Sequence, residues 1–146
     1  MSKGNTFEND LLQLIFNNVD IADIGDAGGL QNSATAGSLY IALHTGDPGE
    51  AGTATTSEAA YGSYARVAVA RTVGGWTVAT NTATNAALIQ FPECSSGSET
   101  ITYVSITTAS SGASKILYSG ALTASRAISA GIQPQFSASA LTVTED

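Results

Sequence analysis

Residues 39–44 have the sequence LYIALH, in which larger and smaller side chains alternate with a period of two. This alternation is typical of a β-strand that turns one face toward the core, here the face of Leu39, Ile41 and Leu43. Residues 64–71, YARVAVAR, repeat the pattern. The two stretches predict that the chain is mainly β.

Further short β-rich stretches follow toward the C-terminus. The Gly74-Gly75 pair predicts a hairpin that joins residues 64–71 to a strand beginning at Trp76. The other predicted strands, separated by Gly, Ser and Pro, are residues 87–91, 101–107, 115–119, 121–129, 135–137 and 141–144. Short strands spaced by about ten residues are typical of a β-sandwich or jelly roll.

The first segment of the chain has a helical pattern instead. Asn5 with Glu8 three residues later predicts a capped helix start, and the helix should end before Gly25. We therefore divide the chain into an N-terminal amphipathic helix or arm, residues 1–30, and one β-sandwich domain, residues 31–146. Two alternatives stay open: the helix covers the core of its own domain, or it docks on a neighbouring subunit.

The composition limits the classes of partner. Twelve acidic residues against five basic ones give a net charge of −7, and such a surface repels phosphate, so we expect no binding to nucleic acid or to an anionic membrane. No stretch approaches the roughly 20 apolar residues of a membrane span, and no signal peptide is visible. We expect the protein to be made in a cytoplasm and to mature there.

The sequence predicts no catalytic, cofactor or metal site. His44 and Cys94 are the only residues of their types, whereas a metal site needs about three convergent ligands. Asp47 lies three residues after His44, and a Ser–His–Asp arrangement stays open, although no serine has the context of a nucleophile elbow. Three acidic residues at three-residue spacing, Asp20, Asp23 and Asp26, would lie at the negative end of a long helix unless the helix ends earlier or a cation or a partner's Lys or Arg compensates them.

Residues 43–52, LHTGDPGEAG, together with residues 64–71 and Gly75-Trp76, resemble a family of small virion proteins of tailed bacteriophages. Its members are labelled head decoration or cement proteins and sometimes tail-fibre proteins. The resemblance covers most of the chain, including residues 2–9 and 112–120. It implies a β-sandwich or jelly-roll protein of the virion without catalytic activity.

Two hypotheses follow from the resemblance. The first is a capsid decoration or cement protein on the capsid surface, a homotrimer that binds the assembled shell of the major capsid protein and stabilises it. The second is a tail-associated fibre or adhesin module, in which exposed aromatic turns at residues 61–64 and 75–76 bind a glycan or receptor. A free enzyme is a third alternative.

The side chains that we expect to contact a partner share an amphipathic helix face or a turn. They are Phe7, Leu11, Leu12, Ile15, Phe16, Asp47, Pro48, Tyr61, Tyr64 and Trp76.

Overall fold

The computed structural model describes residues 2–146, a mainly β chain with one helix near its N-terminus and several antiparallel sheets. This confirms the predicted fold class. The elements in chain order are α1 (Asn5–Asn17), β1 (Ser38–His44), β2 (Val67–Ala70), β3 (Trp76–Ala79), β4 (Thr82–Asn85), β5 (Ile89–Gln90), β6 (Ser98–Thr107), β7 (Ile116–Ser129), β8 (Gln135–Phe136) and β9 (Thr142–Thr144).

The strands form three sheets. One has four strands in the order β2-β1-β6-β7, the second has three in the order β3-β4-β9, and the third pairs β5 with β8. The described chain divides into two compact units: unit 1 comprises residues 2–38, 69–89 and 136–146, and unit 2 comprises residues 39–68 and 90–135. The predicted division of the chain at residue 30 stays a prediction, and Met1, its first residue, lies outside the described residues.

Helix α1 of unit 1 is shorter than its hydrophobic pattern suggested. Gly4, rather than Asn5, is its N-cap, and the carbonyl oxygen of Gly4 accepts a bond from the amide of Glu8 at 3.0 Å. Asn18 ends the helix in the left-handed conformation, at a φ of 57°. Asparagine tolerates this conformation better than most residues, so a helix that stops here needs no glycine.

The buried face of α1 packs on β3 and β4 within unit 1. Leu12 and Phe16 are fully buried, and so is Trp76 at the start of β3. The rings of Phe16 and Trp76 lie with their centroids 4.6 Å apart at an angle of 58°. Aromatic pairs in such tilted geometry add to the stabilisation from buried area alone. The helix therefore covers the core of its own unit.

Arg71 caps the C-terminal end of α1 with its side chain. Its guanidinium donates to the carbonyl oxygens of Leu14 at 2.6 Å and Ile15 at 2.7 Å, and also to that of Ala36 at 3.2 Å. The last carbonyls of a helix have no partner within it and carry its negative dipole end, so a cation there satisfies both.

We expect Arg71→Ala to lower the free energy of unfolding by about 1.5–3 kcal/mol, because it removes hydrogen bonds from a charged donor to backbone acceptors. Urea unfolding followed by circular dichroism measures this change. Arg126→Ala is the control, since Arg126 is exposed on β7 and its loss should stay within about 0.5 kcal/mol. Equal effects of the two substitutions would contradict the helix-capping role.

The predicted hairpin across Gly74-Gly75 is wrong. Strand β3 pairs with β4 instead, through a two-residue connection between Ala79 and Thr82, while β2 belongs to the four-stranded sheet. The amides of Gly75 and Trp76 both donate to the carbonyl of Thr72 at 2.9 Å, so residues 72–76 close into a local turn. A turn of this kind redirects the chain rather than returning it along β2.

Strand β4 was not predicted because its sequence, TATN, resembles a polar loop. Its inward residues are Ala83 and Asn85, both fully buried. The Asn85 amide donates to the carbonyls of Ala87 at 2.7 Å and Ser137 at 2.8 Å, and its oxygen accepts from the amide of Leu141 at 2.8 Å. A buried polar side chain is tolerated when its bonds are made in this way.

Unit 2 is built around β1 and the long strands β6 and β7. Residues Ile41, Ala42, Leu43 and His44 of β1 are all buried, so both faces of this strand are covered. The strand predicted from its alternating pattern is therefore confirmed, and it pairs antiparallel with β6.

Strand β7 replaces two predicted strands, residues 115–119 and 121–129. In its pairing with β6, Tyr103 lies opposite Ala121 and Ile101 lies opposite Arg126, so four residues of β7 stand opposite one of β6. This bulge interrupts the outer edge of the sheet. Bulges of this kind protect long edge strands from uncontrolled pairing with other chains.

Candidate functional site

His44 is fully buried in unit 2 at the end of β1. Its Nδ1 lies 2.9 Å from the carbonyl oxygen of Thr56, and its Nε2 lies 2.7 Å from Oγ of Ser105 on β6. Because a carbonyl oxygen can only accept, Nδ1 carries the proton and Nε2 accepts the hydroxyl proton of Ser105. Burial lowers the pKa of His44, and the Thr56 carbonyl and Glu58 only partly oppose this.

A serine within hydrogen-bond reach of a histidine is also the geometry of an activated nucleophile. Here Ser105 is 1% exposed and His44 is 0% exposed, so neither atom of the pair faces solvent. Asp47, the acid three residues after His44, is exposed, and its carboxylate accepts the amide of Gly49 at 2.8 Å. The pair thus links β1, β6 and the chain at Thr56.

The stability of the chain should depend on pH through His44. Because burial lowers the pKa of His44 in the folded chain, the unfolded chain binds more protons near and below the ordinary histidine pKa of about 6.5. The free energy of unfolding should therefore fall as the pH drops from about 7 toward about 5. In His44→Gln this decline should be shallower, whereas Ser105→Ala keeps the titrating group and should retain it. Urea midpoints measured across this pH range test the prediction; parallel curves for wild type and His44→Gln would contradict it.

The buried Arg66 and the half-buried Glu58 form an ion pair in unit 2. Nε of Arg66 donates to Oε1 of Glu58 at 2.6 Å, and Nη2 donates to Oε2 at 2.8 Å. The remaining guanidinium protons reach Ser114 Oγ at 3.0 Å and the carbonyls of Ala109 at 3.0 Å and Gly112 at 2.8 Å. The hydrogen bond to Glu58 raises the pKa of Arg66 despite burial. The pair connects three separate segments of unit 2.

Tyr64 belongs to the same polar network, and the ring of Tyr61 lies edge-on to that of Tyr64 while its hydroxyl is bonded elsewhere. The hydroxyl of Tyr64 donates to Oε1 of Glu58 at 3.2 Å and accepts the amide of Leu43 at 3.0 Å. The hydroxyl of Tyr61 donates to the carbonyl of Pro92 at 3.1 Å. Burial raises the pKa of Tyr61 to about 12 and raises that of Tyr64 as well, so both hydroxyls stay protonated near neutral pH.

The comparison with protein families covers nearly the whole chain. Residues 2–144 match the model of the family described as podophage GP4 fiber I protein gp80. The chain belongs to this family. The family is one of phage virion proteins, which confirms the resemblance found in the sequence. No curated protein matches the chain.

The matched residues of this virion protein family include α1 and segments of both units. The helix is therefore part of the shared family sequence. The family description also carries the term fibre, which agrees with the tail-fibre label found among the proteins that the sequence resembles.

Several residues that were predicted to contact a partner are buried within the protein itself. Leu12, Phe16 and Trp76 are fully buried in unit 1, and Tyr61 is only 4% exposed in unit 2. The expectation of exposed aromatic turns is wrong for Tyr61 and Trp76, because Trp76 lies against Phe16 and the Tyr61 hydroxyl is bonded to a backbone carbonyl. Tyr64 is half-buried and engaged by Glu58.

The other predicted contact residues differ in accessibility. Phe7 is 38% exposed, Leu11 and Ile15 are half-buried, Asp47 is exposed, and Pro48 is buried. A role of these side chains in a partner interface stays a prediction.

The remaining residues that could take part in catalysis or metal binding are Cys94 and the three aspartates at 20, 23 and 26. Cys94 is buried with its thiol directed at the carbonyl of Ser96 at 3.2 Å. Asp20, Asp23 and Asp26 are exposed beyond the end of α1. Across residues 2–146, no three His, Cys, Asp or Glu side chains are grouped to hold a metal ion. Within the same residues, no helix has the length and apolar character needed to cross a bilayer.

Proposed function

We propose that this protein is a structural component of a podophage tail, associated with its fibres, and that it acts by binding other virion proteins rather than by catalysis. The observation that carries the proposal is the family match over residues 2–144, whose description names a podophage fibre protein. A fibre component needs a stable scaffold and contact surfaces, and it needs no reactive group.

The chemistry of unit 2 supports a non-enzymatic role. The residues that most resemble catalytic groups, His44, Ser105 and Cys94, are each at most 1% exposed. Each of them is bonded to protein groups within the unit. Side chains used in this way hold the fold together and have no route to a substrate without local opening.

Separation of dissociated particles tests the location. Purified virions are split into heads and tails, and the chain is quantified in both fractions by mass spectrometry, with the major capsid protein as the head marker. The proposal predicts that the chain stays with the tails. Recovery with the head shells would overturn it and favour the capsid decoration hypothesis, with its homotrimer and its contact to the major capsid protein.

Particles made without the chain give a second test. A tail-fibre role predicts reduced adsorption to host cells and unchanged rupture of the heads on heating. Normal adsorption combined with rupture at lower temperature would instead favour a cement protein.

A further inference from the structure

Large apolar side chains on the surface are concentrated in unit 1. Among residues 2–146, seven such side chains are exposed, and six of them belong to unit 1. These six are Phe7, Val19, Ile24, Leu30, Val73 and Leu88, and the seventh is Ile132. Three of the six, Val19, Ile24 and Leu30, occur within the segment that follows α1. Single exposed apolar side chains scattered over a surface are ordinary, whereas three within one short segment call for an explanation.

This segment, residues 18–33, is an ordered loop whose ends are fastened together; we call it the 18–33 loop. The Asn18 amide donates to the carbonyl of Ser33 at 2.8 Å, and the Ser33 amide donates back to Oδ1 of Asn18 at 2.9 Å. Compact loops with joined ends of this kind are often functional, because they present side chains from a fixed backbone.

A second pair of bonds fixes the middle of the 18–33 loop. Ile21 and Leu30 exchange backbone hydrogen bonds at 2.9 and 2.8 Å, and the side chain of Ile21 is buried while that of Leu30 is 43% exposed. Gly29 lies in the left-handed region at a φ of 60°, and a Cβ there would lie 1.8 Å from the Ile21 carbonyl oxygen. The buried side chain of Ile21 and the glycine required at position 29 thus fix the shape of the loop, while the side chains of Ile24 and Leu30 are exposed to solvent.

The charges on the 18–33 loop are all negative. Asp20, Asp23 and Asp26 are exposed, and the sequence has no Lys or Arg between residues 4 and 65. Unit 1 as a whole carries seven of the twelve acidic residues and two of the five basic ones. Both of these basic residues are engaged elsewhere, Lys3 with Glu145 and Arg71 with the carbonyls of α1.

We propose that the 18–33 loop is a docking surface for a different virion protein, one that presents Lys and Arg side chains around an apolar patch. The proposal deepens the proposed function and rests on it. Exposed Val19, Ile24 and Leu30 supply the apolar area, and the three aspartates supply charge complementarity. In such an interface the charges guide association, and the apolar side chains contribute most of the affinity.

Other occupants fit the loop less well. Two copies of the chain that met through this loop would place the same three aspartates opposite one another, and the phosphates of nucleic acid would be repelled by them as well. A divalent cation needs several carboxylates aimed at one point, but Asp20 accepts the amide of Asn32 and Asp26 accepts the amides of Gly28 and Gly29.

The test uses phage that carry altered loops. In one virus Asp23→Asn and Asp26→Asn remove two charges while keeping the acceptor oxygens, and the matched control Glu50→Gln with Glu93→Gln removes two exposed charges from unit 2. A second virus carries Ile24→Ser with Leu30→Ser, and its control carries Val73→Ser with Leu88→Ser at exposed positions outside the loop. Copies of the chain per purified particle are counted by quantitative mass spectrometry, and thermal unfolding of each purified variant verifies its fold.

We expect both loop variants to reduce incorporation about tenfold, the effect of losing about 1.4 kcal/mol of binding, and both controls to stay near wild type. Wild-type incorporation of both folded loop variants would overturn the docking proposal alone. Loss of incorporation in the charge control as well would also overturn it, because net charge rather than the loop would then be responsible. Absence of the chain from wild-type particles would overturn the docking proposal and the proposed function together.

Crosslinking identifies the occupant. A photo-crosslinker on Ala27→Cys, at the exposed tip of the loop, leaves the buried Cys94 unlabelled, and Ala113→Cys in unit 2 is the control. Irradiation of assembled particles should join Ala27→Cys, and not the control, to a segment rich in Lys and Arg in another virion protein. A crosslink to a second copy of this chain, or to nucleic acid, would overturn the proposal.

Discussion

Glu58→Ala is expected to lower the free energy of unfolding by about 3–5 kcal/mol, the range found when one partner of a buried ion pair is removed. The side chain of Arg66 is only 2% exposed, so its positive charge would stay buried without the carboxylate that now accepts two of its hydrogen bonds. The Tyr64 hydroxyl would lose its acceptor in the same substitution. Urea unfolding followed by circular dichroism at neutral pH measures the change.

Glu50→Ala is the matched control, because Glu50 is an exposed acid in the same loop and should change stability by no more than about 0.5 kcal/mol. The double variant Glu58→Leu with Arg66→Met removes both charges and should recover much of the loss, since no unpaired charge remains. If Glu58→Ala unfolds at the same urea concentration as Glu50→Ala, the ion pair does not stabilise unit 2.

Phe16→Ala should destabilise unit 1 by about 3–5 kcal/mol, as expected for truncation of a fully buried aromatic ring. The substitution opens a cavity against the indole of Trp76, the only tryptophan of the chain. Thermal unfolding gives the loss of stability, and the emission of Trp76 reports on its surroundings. Phe7→Ala is the control on the same helix, because Phe7 is 38% exposed and its loss should cost at most about 1 kcal/mol.

Deletion of residues 2–18 extends the same test. If the helix covers the core of unit 1, its removal exposes Trp76 to water and shifts the emission to longer wavelength. A truncated chain that unfolds like the full chain, with unchanged emission, would show that the helix is a detachable arm, and this would contradict the packing described for α1.

The elements that local patterns determine were predictable from the sequence. Strand β1 could be predicted because its alternating pattern directs Leu39, Ile41 and Leu43 inward, and all three are buried. Strand β4 could not, since the inward position of Asn85 is acceptable only because Ser137 and Leu141, about fifty residues away, supply hydrogen bonds. A local pattern carries no information about partners at that distance.

The sequence could not show which side chains are covered and which are exposed, for a similar reason. Periodicity showed that Leu12 and Phe16 share a helix face, but it could not show whether the covering surface belongs to this chain or to another. Likewise, the pattern of residues 64–71 places Arg66 on the polar face of a strand. Its burial depends on residues 109–114, which are distant in sequence and accept its hydrogen bonds. The exposed apolar side chains of the 18–33 loop were missed because the glycines at 25, 28 and 29 indicated only where the helix should end.

The proposed role in the phage particle depends on where the chain is and in how many copies. Membership in a phage virion family is shown, and the tail-fibre role is the interpretation that the family description supports. The histidine, serine and cysteine are buried parts of this scaffold, and the proposed docking surface on it is the acidic, apolar 18–33 loop.

The copy number of the chain in purified particles tests this account most directly. Quantitative mass spectrometry against isotope-labelled standards measures the ratio of this chain to the major capsid protein in the same sample. A fibre-associated tail component predicts a ratio far below one, because a particle has one tail and a shell of many capsid subunits. A ratio of this chain to the major capsid protein near one would contradict the account and identify a protein that covers the capsid.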